Sequence, residues 1–313
     1  MTAPKSTSED CVAAHRGSVG IVGIGAMGGP MARRLLDRGY RVVVCDIDPV
    51  RTAMLADAGA AVAASAAEVA RVADVVFTVV VNAADTDDVV FGDRGVAKVA
   101  RSGMTVIMCS TVGPRYAATL GERLAAHRID VVDAPISGGP QRALDGTLSM
   151  MIGAPPPVLA HVSSVLEAVA SRRFHVGPRV GDGSAMKIVN NMLAGINLVG
   201  AAEALALAER LGMNLQMVSD VVNASSGGSW MFADRVPRIL AGDYAPPKAA
   251  AKILAKDVGL ALEEADAAGV QATLARAAHH VFTGTVAQGL GDLDDAAVID
   301  YYRAQIAFAS KFD

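Results

Sequence analysis

The hexapeptide Gly23-Ile24-Gly25-Ala26-Met27-Gly28 stands between two different kinds of sequence. Val19, Ile21 and Val22 precede it as a short β-type run, and Pro30-Met31-Ala32-Arg33-Arg34-Leu35-Leu36 follows with apolar residues at helical spacing. A strand that turns into a helix through a G-x-G-x-x-G has few alternatives. Gly23 permits the tight turn and Gly25 lets backbone approach a pyrophosphate. Gly28 lets helix and strand pack closely, and the N–H groups of the helix start, with Ala26 and Met27 leading into it, face the phosphates. A second β-type run, 41–45, ends at Asp46, roughly the ~20 residues downstream at which an acid accepts the hydroxyls of a ribose. A glycine-rich turn of some other α/β protein has no need of that acid. A carboxylate there favours NAD and repels the 2′-phosphate of NADP. Arg51, beyond Asp48 and Pro49, is a nearby cation that works against this preference. The cofactor expected is NAD, with NADP second.

Composition narrows the setting. At 313 residues the chain can form two domains with sizeable cores. It is 52% hydrophobic, but its apolar runs read as short and interrupted, so no membrane span and no membrane partner are expected. A formal charge of −4 without a basic run offers no footprint for nucleic acid. Cys11, Cys45 and Cys109 are scattered with no C-x-x-C and no histidine pair nearby. That pattern points away from zinc or another metal and toward a reducing cytoplasm. Residues 1–17 are polar, lack an apolar core of signal-peptide type, and read as a disordered tail.

Strand and helix signals alternate through the first half. Helical stretches are expected at 51–58, 65–71, 114–126 and 156–166, and strands at 61–62, 75–81, 104–109 and 129–134. The β-branched run 75–81 suits the buried centre of a parallel sheet. From 183 onward the periodicity is helical almost throughout: 184–211, 214–223, 230–240, 249–268 and 270–289. The fold class expected is therefore α/β, a Rossmann-type doubly wound sheet over 18–180 followed by an all-α domain over 181–313.

Two clusters could carry chemistry. In Asp133-Ala134-Pro135-Ile136-Ser137-Gly138-Gly139-Pro140, a serine and two glycines could converge donors on an anion such as a carboxylate; the same residues also suit an ordinary turn. In Gly183-Ser184-Ala185-Met186-Lys187-Ile188-Val189-Asn190-Asn191, Lys187 and Asn191 share a helix face among apolar neighbours. That lysine either snorkels to solvent or sits in a cleft with a shifted pKa, where it could shuttle a hydroxyl proton.

Taken together and in order, several motifs resemble the β-hydroxyacid dehydrogenases. They are Gly23-x-Gly25-x-Met27-Gly28, Ser110-Thr111-x-x-Pro114, Asp133 through Gly139, Gly183-x-x-x-Lys187-x-x-Asn190-Asn191 and Lys256-Asp257. The resemblance spans about residues 19–299. It implies a hydride transfer between the nicotinamide and a small hydroxy acid, with Lys187 as general acid/base and Asn191 orienting the substrate or Lys187. It implies that Ser137, Gly138 and Gly139 hold the substrate carboxylate. Thr111 would lie at the nicotinamide ribose, Val81 and Asn82 would line the cofactor cleft, and Lys256 would reach the cofactor side. A homodimer or homotetramer is implied in the same way.

Within that family, the segments 80–84, 91–97, 229–232 and 242–244 resemble the branch acting on L-threonate, a four-carbon sugar acid. The lysine-rich 247–252 stretch departs from that branch, which leaves 3-hydroxyisobutyrate dehydrogenase and tartronate semialdehyde reductase as alternatives. Imine reductases of this fold place another residue where Lys187 stands, and a non-catalytic NAD-binding relative would have lost the lysine. Trp230 reads as a core or interface aromatic.

Overall fold

The computed structural model describes residues 17–99 and 101–309; most of the expected 1–17 tail, with Cys11, lies outside them. The chain divides into two compact units after Ser184.

The first unit begins with β1 (Ser18–Val22), α1 (Gly28–Asp37), β2 (Arg41–Cys45), α2 (Pro49–Asp57), β3 (Ala61–Val62), α3 (Ala66–Val72), β4 (Val75–Thr78) and α4 (Ala83–Phe91). It continues through β5 (Thr105–Met108), α5 (Pro114–Ala125), β6 (Asp130–Asp133), β7 (Ile136–Ser137), α6 (Gly139–Asp145), β8 (Ser149–Gly153), α7 (Pro156–Val169) and β9 (Arg172–Gly177). The sheet order is β3-β2-β1-β4-β5-β6-β8-β7, with β9 on the outer side of β8. From β3 to β6 every pairing is parallel.

Successive residues of the central strands feed two separate cores, as the two-residue period of a strand requires. Ile21, Phe77, Ile107 and Val132 pack with Met31, Leu35 and Leu166 on one face. Val22, Val76, Val106 and Val131 pack with Val69, Leu120 and Leu124 on the other. Near-continuous apolar strands covered by helices on both faces are the signature of a doubly wound sheet.

Strand and helix ends are set locally. Ser65 caps α3 by accepting from Glu68 N, while Glu68 reaches back to Ala64 N, so two exposed donors of the helix start are met reciprocally. The 75–81 strand stops at Thr78, because Val79 to Val81 leave the sheet for the α4 entry. The sheet is also less uniform than the sequence implied. β8 runs antiparallel to β6 and β7, and β7, β8 and β9 were not expected. All of β9 is exposed or half-exposed, including Phe174 and Val176, and it pairs through one edge only.

In the second unit the helices are α8 (Asp182–Arg210), α9 (Leu215–Asn223), α10 (Trp230–Ala241), α11 (Ala251–Ala267), α12 (Thr273–Thr285) and α13 (Ile299–Ala309). The chain crosses from the first unit to the second within the first turn of α8. The expected helices 184–211, 214–223 and 230–240 match α8 to α10 within two residues, and Asn214 and Ser229 cap theirs by accepting from Met217 N and Phe232 N.

The expectation that no segment reaches the length and apolarity of a membrane span fails for α8, whose apolar window has a mean hydropathy of 1.4. Lys187, Asn190 and Asn191 interrupt the run and hid it in the sequence. Of that window, 44% is buried inside the protein, and Leu198, Ala202 and Leu205 belong to the core of the second unit.

Asp133, at the end of β6, is fully buried and accepts hydrogen bonds from Gly181 N (2.9 Å), Ser184 N (2.8 Å) and Ser184 Oγ (2.7 Å). Burial pushes its pKa up to about 6 against the lowering effect of those three donors. Gly183 must lack a side chain here, since a Cβ would stand 2.5 Å from both the Asp133 and Met151 carbonyl oxygens. Asp133→Ala leaves three buried donors unmet and should cost about 2–4 kcal/mol. A urea titration followed by circular dichroism should show the midpoint fall well below that of the native chain.

Candidate active site

The glycine turn of the first unit is built around missing side chains. Gly23 has φ +87°, and a Cβ on it would lie 2.5 Å from the Val79 carbonyl oxygen; one on Gly28 would lie 2.0 Å from the Gly23 carbonyl oxygen. Backbone therefore meets backbone where α1 leaves β1. Met27 caps α1 without a side-chain hydrogen bond, and the first turn carries no acid. The helix start is open to an anion and carries the positive end of the helix dipole. Gly25 and Ala26 lie at the rim, half-exposed and exposed.

Asp46 sits at the end of β2, where the sequence placed it. Its Oδ2 accepts from Ile24 N at 2.7 Å and its Oδ1 from Asp48 N at 2.9 Å. The carboxylate thus ties the glycine turn to the β2 exit, a role that the sequence reading did not foresee. Arg51 pairs with Asp48 at 3.2 Å and has its Nη1 3.5 Å from where a Cβ of Gly25 would stand. A cation therefore does border the turn. The cradle, the open helix start and the acid together fit a dinucleotide.

The other expected cofactor residues lie in loops after the sheet strands. Val81 is exposed, and Asn82 caps α4 by accepting from Asp85 N at 2.8 Å, so its side-chain oxygen also serves the fold. Thr111 is half-buried in the loop after β5, next to Ser110, which accepts from Thr86 Oγ1 in the interior. Ser137 ends β7, Gly138 (φ 139°) and Gly139 (φ 78°) follow in conformations that L side chains rarely adopt, and α6 begins at Gly139. The turn that the sequence allowed is present: a pair of positive-φ glycines leads into a short helix.

In the second unit, Lys187 and Asn191 lie on the buried stripe of α8, at 7% and 9% exposure. The snorkelling alternative for Lys187 is thereby removed. Asn191 Nδ2 donates to Asp257 Oδ2 at 2.6 Å, and Asn190 Nδ2 donates to Asn191 Oδ1 at 3.0 Å. Lys256 Nζ stands 2.8 Å from Asp257 Oδ1, an electrostatic contact rather than a directed hydrogen bond. Burial lowers the Lys187 pKa below the usual lysine value; the Asp257 carboxylate opposes that and the Lys256 ammonium adds to it.

Lys187, Asn191 and Lys256 are therefore one cluster, and Asp257, which the sequence reading did not assign, stands at its centre. Its signal was available: position 257 falls among Leu254, Ala255, Val258, Ala261 and Leu262 on the buried face of α11, where a charge has no place in a purely structural helix. Trp230, read as a core or interface aromatic, is 58% exposed at the start of α10, so it is not a core residue.

Against known families, residues 18–177 match the NAD binding domain of 6-phosphogluconate dehydrogenase, and residues 181–302 match the profile described as NAD-binding of NADP-dependent 3-hydroxyisobutyrate dehydrogenase. The fold and the glycine cradle place the chain among the nicotinamide-dependent oxidoreductases. More narrowly, it belongs to the β-hydroxyacid dehydrogenase family typified by 3-hydroxyisobutyrate dehydrogenase.

The chain is 41% identical to L-threonate dehydrogenase of Cupriavidus necator, over 91% of this chain and 96% of that protein. It is 37% identical to L-threonate dehydrogenase of Escherichia coli strain K12, over 91% and 94%. A crystal structure of 3-hydroxyisobutyrate dehydrogenase from Salmonella typhimurium superposes with a TM-score of 0.85 at 38% identity, covering 91% of this chain and 99% of that one.

Gly28→Ala places a methyl group against the Gly23 carbonyl, which cannot yield without opening the turn. We expect dinucleotide affinity, read by NADH fluorescence, to fall by about tenfold or more, while circular dichroism stays native.

Proposed function

We propose that the chain is an NAD-dependent dehydrogenase that oxidises a small sugar acid of the L-threonate type, with Lys187 as its acid/base. The observation that carries the proton-transfer role is the burial of Lys187 beside Asn191, Lys256 and a carboxylate, in a helix otherwise packed with apolar residues. The substrate class is supported by the two L-threonate dehydrogenases at 41% and 37% identity.

When bound, the nicotinamide ring supplies the hydride acceptor. The glycine turn and the α1 start would hold the pyrophosphate, Asp46 the adenosine ribose, and Val81, Asn82 and Thr111 the nicotinamide half. Lys187 in its neutral form takes the proton of the substrate hydroxyl, and as an ammonium it returns one to the carbonyl in the reverse direction. Its lowered pKa puts more of the neutral base at physiological pH than an exposed lysine would offer. Asn191, held by Asp257, retains a second amide hydrogen with which to orient the substrate. Ser137, Gly138 and Gly139 hold the carboxylate through the serine hydroxyl and backbone N–H groups. The exposed apolar residues Leu207 of α8, Leu211 just beyond it, and Met217 and Val221 of α9 support a homodimer or homotetramer.

The first test is NADH formation with L-threonate, D-threonate, 3-hydroxyisobutyrate and D-glycerate. Strong turnover of L-threonate is expected; preference for another acid would overturn the substrate class and leave the proton route standing. Lys187→Ala should lower turnover by about two orders of magnitude or more in both directions with NAD affinity retained, and near-native turnover would remove the lysine from the chemistry.

Asp46→Ala should narrow the preference for NAD over NADP and weaken both cofactors, because the glycine turn also loses its tether. Measured dissociation constants that left their ratio unchanged would take the ribose away from Asp46.

A further inference from the structure

The buried Lys187 ammonium and Asp257 carboxylate stand between α8 and α11, with the half-exposed Lys256 ammonium beside the carboxylate. The carboxylate of Asp257 is 3% exposed and is met by side chains on both oxygens: the Asn191 amide at 2.6 Å and the Lys256 ammonium at 2.8 Å. Nothing in the backbone uses it, so it caps no helix and closes no turn. The two helices come together beside it because Gly195, one turn beyond Asn191, presents no side chain; a Cβ there would stand 2.6 Å from Val258 Cγ2.

We propose that Asp257 is a positioning residue of the hydroxy-acid reaction: it locks the Asn191 amide in one orientation and supplies a negative charge that helps Lys187 cycle between ammonium and amine. The proposal rests on Lys187 being the acid/base.

The orientation follows from the donors. Asn191 Nδ2 gives one hydrogen to Asp257, while Asn191 Oδ1 receives from Asn190 at 3.0 Å. A flipped amide would set its oxygen against the carboxylate, so the second Nδ2 hydrogen always points the same way. The charge argument follows from the balance of the cluster. Burial and the Lys256 ammonium both drive the proton off Lys187, and the Asp257 carboxylate opposes them. With Asp257 present, Lys187 remains able to donate in the reductive direction; without it, burial and the half-exposed Lys256 ammonium would drive Lys187 toward the amine.

Asp257→Asn keeps the size and a hydrogen-bonding oxygen but removes the charge. Rates in both directions should be measured across pH 5 to 10 with wild type, Asp257→Asn, Asp257→Glu and Lys187→Ala. In Asp257→Asn the pH limb assigned to Lys187 should move to lower pH in both directions, and at pH 8 the reductive rate should fall by about tenfold relative to the oxidative rate. Asp257→Glu keeps the charge, so its limb should stay near the native position while the KM for the acid rises through the displaced Asn191.

Equal losses in both directions with an unmoved limb would mark a merely structural acid and overturn the proposal, as would an Asp257→Glu limb displaced as far as that of Asp257→Asn. If Asp257→Asn does not fold, Lys256→Met takes its place: removing the competing cation should move the limb to higher pH, and no movement would again overturn the proposal. A Lys187→Ala enzyme that keeps turning over rejects the acid/base assignment itself. An inert Lys187→Ala with an unmoved Asp257→Asn limb rejects only the role of Asp257.

Discussion

A Cβ at Gly28 would stand 2.0 Å from a carbonyl oxygen, and one at Gly195 would stand 2.6 Å from a valine methyl. Each unit's functional face exists because two chain segments approach with no side chain between them. In the first unit the contact is backbone on backbone, so the turn cannot relax around an added methyl, and the N–H groups of α1 stay aimed at one point. In the second it is backbone on side chain, and it brings α11 close enough for an aspartate to reach an asparagine on α8. Close packing of this kind makes a site rigid at the cost of tolerance to substitution.

The two buried carboxylates show how the surroundings of an acid decide what it can do. Asp133 receives two backbone N–H groups and a hydroxyl, all from the residues that begin α8. Every donor belongs to the fold, and the acid is a fastener. Asp257 receives only side chains, one neutral and one cationic. Its partners are side chains that can swing, whereas two of the three donors to Asp133 are fixed in the backbone.

The sequence made the ordering of elements legible wherever its spacing was regular. The first strand and the helices α8 to α10 were readable from apolar period, and the glycine turn and the acid at position 46 from their fixed separation. What it hid falls into two kinds. β7 and β9 are short or exposed, so neither carries the apolar run by which a strand is read, and β8 follows α6, a seven-residue helix that the sequence presents as part of a loop. Asp257 was hidden for a different reason: its meaning lies in Asn191, 66 residues earlier, and only the packing of α11 on α8 joins them. Asp46 was found for its expected chemistry, while its tether to Ile24 N depends on a backbone donor that no residue type announces.

The outer edge of β9 leaves a row of backbone groups available to another strand, and Phe174 and Val176 would make such an addition attractive. Arg172, Arg173 and His175 stand on the same six-residue strand. Arg173 is already drawn back toward Glu167 and the Ala170 carbonyl. Any segment that extended the sheet would have to lie alongside the two guanidinium groups and strip water from them. Charge on this strand therefore guards the free edge of the sheet, and neutralising it would leave an edge more open to pairing.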